Sequence, residues 1–341
     1  MATLATRNLS IADAARRLDP DGKVAKIVEV LNQSHEILDD AVVREANDGS
    51  KHKSTIRTGI PVPTWRKLYG GVLPTKSATA QVTDSCGMMA ALTKVDADLV
   101  DMSSDKAGTL LSEQLPQLEG MRQEAERVLF YGDTQANPEQ YHGLAARYSV
   151  KNTTNDETIS PFNVLTAAGA GADNTSVWLI GWGDSTCHLI YPQNSSVGIS
   201  QENKGKILTA QAEDHSLGEF DAYVSQYKWN LGLAIRDWRS VGRICNIDIS
   251  DLEGSTGSQN AQQLLKLMIQ LEERVMHYGG LGAARFSWVM HPRVRAMLRT
   301  QFLDKQSGNF TFENVMGKRV MMFGETPIRV SRQISLAEAA L

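Results

Sequence analysis

Hydrophobic and polar positions alternate with two different periods along this chain, and the period decides each element. The helical period comes first. Ile11, Ala14, Ala15 and Leu18 share a face behind Ser10, a candidate N-cap, until Pro20-Asp-Gly22 interrupts. Val24, Ile27, Val28 and Leu31 form a second short stripe. With few aromatics, residues 1–45 read as an arm that buries itself only against a neighbour. Residues 103–131 predict a long helix with Ala107, Leu111, Leu118, Met121, Ala125 and Val128 on one face, widened by Leu110, Leu115 and Leu129. Pro116 should kink or restart it, because an interior proline costs about 3 kcal/mol. Residues 258–278 predict a second strong helix, stopped by Gly279-Gly280, and Pro292 opens a third.

The two-residue period marks strands. From Tyr223 to Ile235 the alternation holds for thirteen residues, against about 5–6 for a common strand, which suggests an extended β-arm. Residues 178–182, 188–191, 243–249, 285–290, 320–323 and 328–331 predict shorter strands. Residues 151–173 and 193–219 are polar and glycine-punctuated and read as loops. Residues 50–85 mix prolines and glycines with Ile60, Val62, Trp65, Leu68, Tyr69 and Val72, followed by alternation from Lys76 to Thr83. That pattern reads as a long protruding hairpin, its prolines discouraging uncontrolled edge pairing. A hairpin of this length asks for a partner surface.

Composition narrows the classes. Among 341 residues, 35 Lys and Arg face 39 Asp and Glu, a net charge of −4 that argues against a dedicated nucleic-acid binder. No apolar run reaches the ~18 residues of a membrane span, and the N-terminus lacks a secretory pattern. The three cysteines, Cys86, Cys187 and Cys245, fit neither a disulfide framework nor a zinc knuckle.

Candidate chemistry is sparse. Gly183-Asp-Ser-Thr-Cys-His188 gathers Ser185 and His188, the residues a soluble hydrolase would use, but strand neighbours point to opposite faces and no G-x-S-x-G elbow is present. A backbone-bonded turn is the better reading. No phosphate loop exists, and Gly279-Gly-Leu-Gly282 follows a helix, the wrong order for a dinucleotide site. Glu124/Glu126 and Glu272/Glu273 read as solvated helix faces, and His291 as a structural or capping residue. Arg236, Arg239 and Arg243 with Trp229 and Trp238 read as intersubunit salt links and stacking. Trp65-Arg-Lys-Leu-Tyr69 reads as a contact tip, an exposed apolar patch being uncommon in a monomer. The candidate contact residues are therefore Trp65, Arg66, Lys67, Tyr69, Arg236, Trp238 and Arg239; no catalytic, cofactor-binding or metal residue is expected.

The order of these features resembles the tailed-phage major capsid proteins of the HK97 fold. The sharpest likeness is Phe130-Tyr-Gly-Asp-Thr-Gln-Ala-Asn-Pro-Glu-Gln-Tyr-His-Gly-Leu144, directly after the long helix, continued by Ala145-Ala-Arg-Tyr148. Trp178-Leu-Ile-Gly-Trp-Gly183, Trp288-Val-Met-His-Pro-Arg293 and Phe323-Gly-Glu-Thr-Pro-Ile-Arg-Val330 are similar to the branch of short-tailed phages of the epsilon-15 kind. Thr134 and Arg332 depart from that pattern locally.

The resemblance implies an α+β fold with an N-terminal arm at 1–45 and an E-loop hairpin at 50–85. A peripheral domain would span 86–149, with its spine helix at 103–131, and a β-arm 220–250. Residues 150–219 and 251–341 would form the axial domain in two parts, the second with the C-terminal strands. It implies a non-enzymatic head protein, assembled in the bacterial cytoplasm as pentamers and hexamers into an icosahedral virion shell. The implied partners are other copies of the chain, a separate scaffolding protein, a portal protein, a decoration protein as a further candidate, and packaged double-stranded DNA bound without sequence specificity; no membrane and no cofactor are implied. An encapsulin-like cargo compartment is the alternative on the same fold.

Overall fold

The computed structural model describes residues 35–103, 105–153, 159–210, 219–254, 257–276, 284–304, 310–315 and 318–341. The two short N-terminal helices and the Gly279–Gly282 turn expected above lie outside them. The chain divides into two units, one holding Met88–Ala125 and Ser196–Asn230, the other His35–Gly87, Glu126–Ser195 and Leu231–Leu341.

The larger unit is built on β5 (Asn174–Trp182), whose nine residues are all buried. Burial on both faces explains the apolar run of its second part, Val177–Trp182. Antiparallel neighbours flank it, β9 (Val241–Asp248) and β10 (Arg285–Met290). Val177 and Leu179 face helix α6 (Gly257–Met276), meeting Leu264, Met268 and Leu271 in one core with Trp288, Ile328 and Phe323. Trp178 points the other way, its ring 6.1 Å from Phe130 and 6.4 Å from Tyr148. Helix α7 (Pro292–Asp304) opens on Pro292, and His291 Nδ1 accepts the Arg293 N–H at 3.2 Å, the capping role expected of it. Strand β13 (Thr326–Val330) runs parallel to β10 and antiparallel to β12 (Lys318–Phe323), which pairs with β11 (Phe310–Val315).

Short helix α1 (Glu36–Asp40) leads to β1 (Val43–Glu45), parallel to β6 (Cys187–Tyr191). The hairpin follows. Its arms are β2 (Lys51–Gly59) and β3 (Ala78–Asp96), antiparallel from Lys51↔Ser85 to Gly59↔Ala78, with a bulge at Arg57/Gly59. A buried ion pair ties down its base: Arg147 Nη1 lies 2.8 Å from Asp84, and Arg147 Nη2 donates to the Leu233 carbonyl. Strand β3 continues eleven residues past the expected end of the hairpin at 85.

In the smaller unit, β7 (Ser200–Ala210) pairs antiparallel with the first part of β8 (Glu219–Ile235), and α2 (Ala97–Met102) precedes α3 (Lys106–Tyr131). Val95, Leu99 and Val100, with Leu110 and Tyr223 against them, form a small core.

Several expectations are corrected. Helix α3 is continuous from Lys106 to Tyr131 with Pro116 inside it, so the proline does not restart it. The expected loop 151–173 contains a strand, β4 (Val164–Thr166), parallel to β9. The expected loop 193–219 contains β7, a largely exposed strand held by its ladder rather than by an apolar face. Glu126 is fully buried, accepting from Ser331 Oγ at 3.1 Å with His35 Nδ1 at 3.4 Å. Glu272 is half-buried and accepts from Thr326 Oγ1; burial raises its pKa.

The motif Phe130–Leu144 closes on two glycines. The Gly143 N–H donates to the Gly132 carbonyl at 2.8 Å. A Cβ on Gly132 would fall 2.3 Å from the Tyr141 carbonyl oxygen, and one on Gly143 2.6 Å from that of Val128. Only glycine permits this backbone approach at the end of α3.

Candidate functional site

Between Gly49 and Asp84 the hairpin carries Lys51, Lys53, Arg57, Arg66, Lys67 and Lys76 and no acidic residue. Its tip, residues 60–77, is irregular apart from one turn, in which the Gly70 N–H donates to the Lys67 carbonyl at 3.0 Å. Trp65 is fully exposed and Tyr69 is 98% exposed, with Ile60, Val62, Leu68 and Leu73 nearly as open. Tyr69 has φ +64°, a left-handed conformation uncommon outside Gly, Asn and Asp. Nothing among the described residues covers these side chains. Patches of this kind mark contact sites.

Beside the outer half of the hairpin's ladder lies a groove of about 800 Å³. Thr55, Ile56 and Arg57 of β2 and Ala80 and Val82 of β3 form one wall, and Arg236, Trp238 and Arg239 another. The structure thus brings the second group of candidate contact residues beside the strands that carry the first. The alternation of Ala78, Ala80 and Val82 was the available signal for the β3 wall; Arg57 gave none. Within the groove Arg239 is chelated by Asp237, Nε–Oδ1 2.9 Å and Nη2–Oδ2 2.6 Å. Arg236 is exposed and donates to the Asp184 carbonyl at 3.3 Å.

Arg243 belongs elsewhere, which corrects its reading as an intersubunit cation. It is buried, donates to Glu338 at 2.7 Å, to Ser176 Oγ at 3.0 Å and to the Tyr148 carbonyl at 2.9 Å, and lies over the Trp178 ring. It holds the C-terminal segment to the core of its own chain.

The Gly183–His188 segment is a structural turn. The Gly183 N–H donates to the Cys187 carbonyl, and Thr186 Oγ1 donates to that of Gly181. Ser185 is exposed whereas His188 is buried edge-on against His52, ring centroids 5.4 Å apart. Burial, then the neighbouring His52 and Arg236, lowers the His188 pKa to about 4. Burial pushes the Cys187 thiol up to about 12, so it is not a thiolate near neutral pH. Asp184 is engaged by Arg44 rather than orienting the imidazole. Among the described residues no His, Cys, Asp and Glu group could hold a metal ion.

Residues 19–341 match the family described as Major capsid protein GP7. The chain belongs to that family. This capsid protein is also similar, at 32% identity and a TM-score of 0.79, to a chain in the structure of bacteriophage Epsilon15, with 100% of this chain and 99% of that one covered. It is therefore a major capsid protein of a tailed double-stranded DNA phage, a shell component of the virion and not an enzyme, and its fold is the mixed α+β HK97-like capsid fold. Weaker likenesses, at TM-scores of 0.46 and 0.42, are to the capsid of the native GTA particle and to the SrpI encapsulin of Synechococcus elongatus PCC 7942. The first is 9% identical, covering 69% of this chain and 97% of that one; the second is 10% identical, covering 68% and 94%. No curated protein sequence matches the capsid protein.

Proposed function

We propose that the hairpin and the groove beside its ladder are the surfaces by which copies of this capsid protein grip one another in the shell. On this reading residues 50–85 are the E-loop and residues 1–45 an arm tying capsomers together. Residues 86–149 form the peripheral domain with α3 as its spine helix. Residues 220–250 are its β-arm, and 150–219 with 251–341 form the axial domain. Pentamers and hexamers are the building units. A separate scaffolding protein directs closure, a portal protein occupies one vertex and a decoration protein is a further candidate partner. The packaged DNA is enclosed without sequence reading. A net charge of −4 suits that container, because tight DNA binding needs cations that neutralise phosphates.

The observation that carries the contact reading is the exposed aromatic tip. Trp65 and Tyr69 are large apolar side chains that no described residue covers. Aromatic anchors of this kind dominate interface energetics. The groove favours the same reading for Arg236, Trp238 and Arg239, and the cations of the tip for Arg66 and Lys67.

The test is Trp65→Ala in the full chain, followed by shell yield and the temperature at which shells open. The expected result is a lower yield and earlier opening, with the melting of unassembled protein unchanged. Shells of normal yield and heat resistance would remove Trp65 from the interface.

A further inference from the structure

The root of the hairpin meets the body of the protein through polar groups. The buried residues of β2 are His52 and Ser54, and Asp84 stands opposite His52 across the ladder. On the body side β6 contributes His188, buried edge-on against the His52 ring. The Nδ1 atoms of both rings, Ser54 Oγ and Asp84 Oδ2 are buried and have no hydrogen-bond partner among the described residues. Unpaired buried polar atoms cost stability, so an apolar joint would hold better. A local rule broken in this way points to function. Backbone bonds also cross the joint. The Leu189 N–H donates to the Val42 carbonyl at 2.8 Å, the Ala46 N–H to that of Tyr191 at 2.9 Å, and the Gln193 N–H to that of Gly49 at 2.8 Å.

The carboxylates around the two rings are already matched. Asp84 is paired with Arg147 at the end of α4 (Leu144–Arg147), whose guanidinium also donates to the His142 carbonyl. Asp184, in the turn between β5 and β6, is engaged by Arg44 of β1. Arg236, just past β8, donates to the Asp184 carbonyl. Burial, then Arg236, lowers the pKa of His52; burial, then His52 and Arg236, lowers that of His188 to about 4. Burial lowers half-buried His142 as well. It raises the thiols of Cys86 and Cys187 to about 11 and about 12, so neither carries charge in acid. Glu45, Asp48, Lys51 and Lys53 are exposed. His291, also brought to about 4, belongs to another element: it caps α7 beside Arg293, which Glu253 of α5 (Ile249–Glu253) holds.

We propose that His52 and His188 are an acid-operated release for the hairpin root: while both rings are neutral, β1 and the base of β2 rest on β6, and when the rings take up protons the root lifts away. Protonated rings in the closed joint would lie 5.4 Å apart, beside Arg147 and Arg236, with no unmatched carboxylate to receive them. Like charges so placed disfavour one another, the more so where water is excluded. Lifting admits water, and the ordinary imidazole pKa of about 6.5 returns. The lifted state therefore binds protons that the closed state refuses. Closure is fullest above about pH 6.5 and weakens as the pH falls toward about 4. For His188 alone the ratio of lifted to closed root should rise about twentyfold between pH 7 and pH 5, and His52 adds in the same direction. Histidine is the side chain whose ordinary pKa suits it to this task. The release sets when the hairpin is free to move and does not depend on which surface the hairpin grips.

Amide hydrogen exchange of the full-length, unassembled protein tests the release, at pH 7, pH 6 and pH 5, each rate divided by that of a free chain at the same pH. The amides of Ala46, Leu189 and Gln193 report the joint, and those of β5 report the core. Protection of the three joint amides is expected to fall about twentyfold or more from pH 7 to pH 5. At each pH it should lie below that of β5 and hardly respond to sub-denaturing urea, the mark of a local opening. His52→Gln with His188→Gln is expected to hold the three amides within about threefold over the same range, whereas His291→Gln keeps the full loss. Joint amides whose protection does not change with pH would overturn the proposal. So would a loss that survives in the double variant, or joint amides that follow β5 in both protection and urea response, since that is global unfolding. Should the double variant fail to fold, Arg236→Gln replaces it. Removing that cation brings both rings nearer their ordinary pKa in the closed joint, so the loss should shrink; an undiminished loss overturns the release.

Discussion

Gly132 and Gly120 lie twelve residues apart, just past and within α3, and differ in their surroundings, which makes them a matched pair. Replacing Gly132 by Ala would set a Cβ 2.3 Å from the Tyr141 carbonyl oxygen, 2.7 Å from that of Val128 and 2.8 Å from Val128 Cγ1. Favourable carbon contacts lie at about 3.5–4.0 Å, so all three are deep in the repulsive range. Two of the three opposing atoms are backbone, and no rotamer relieves them. Overpacking costs about 1–3 kcal/mol and occasionally more; this site belongs at the upper end, near about 3 kcal/mol. At Gly120 a Cβ meets nothing within 4 Å, and the position is exposed. Gly120→Ala should gain the helix-propensity difference, about 1 kcal/mol. Both substitutions restrict the unfolded chain alike, so that contribution cancels in their difference. At about 2 °C per kcal/mol for a chain of this size, Gly132→Ala should melt about 6 °C low and Gly120→Ala about 2 °C high. Thermal melting of the unassembled capsid protein measures both. If Gly132→Ala melts with wild type, the glycine-to-glycine closure of the 130–144 motif is not the constraint described.

Two other outcomes follow from the buried charges and histidines. Glu338→Ala strands the buried Arg243 and removes the acceptor of Ser176 and Tyr131, so denaturant unfolding should show a loss of about 3–5 kcal/mol; a loss below about 1 kcal/mol would refute that role. His188 and His291 have pKa values lowered to about 4, chiefly by burial, from an ordinary 6.5. The unfolded chain therefore takes up protons that the folded chain refuses between those values. Stability should fall as pH drops from 6.5 toward 4, and melting of His188→Gln with His291→Gln should show a shallower pH slope; an unaltered slope would refute it.

The parts of the fold legible in the sequence are those where one face meets a core. β8 shows its two-residue period, and β5 shows in Val177–Trp182 the apolar run of a strand covered on both sides. The hairpin was legible through its prolines, glycines and stranded aromatics. β7 was hidden because Ser200–Ala210 is largely exposed and owes its conformation to pairing with β8, which leaves no apolar alternation to read. Glu126 looked solvated because its partner, Ser331, lies 205 positions away, and Arg243 looked like a contact cation because Glu338 lies 95 positions away. Long-range partners of that kind leave no local pattern. Of the candidate contact surface, the tip was visible in residues 65–69, but its groove was not, since Arg57 and Arg236 meet only after folding.

The most direct test of the central claim is a density map of the assembled shell. The account predicts that the hairpin of every copy lies on a neighbouring copy, with Trp65 and Tyr69 buried against it. A shell in which residues 60–77 project into solvent, touching no other copy, would contradict it.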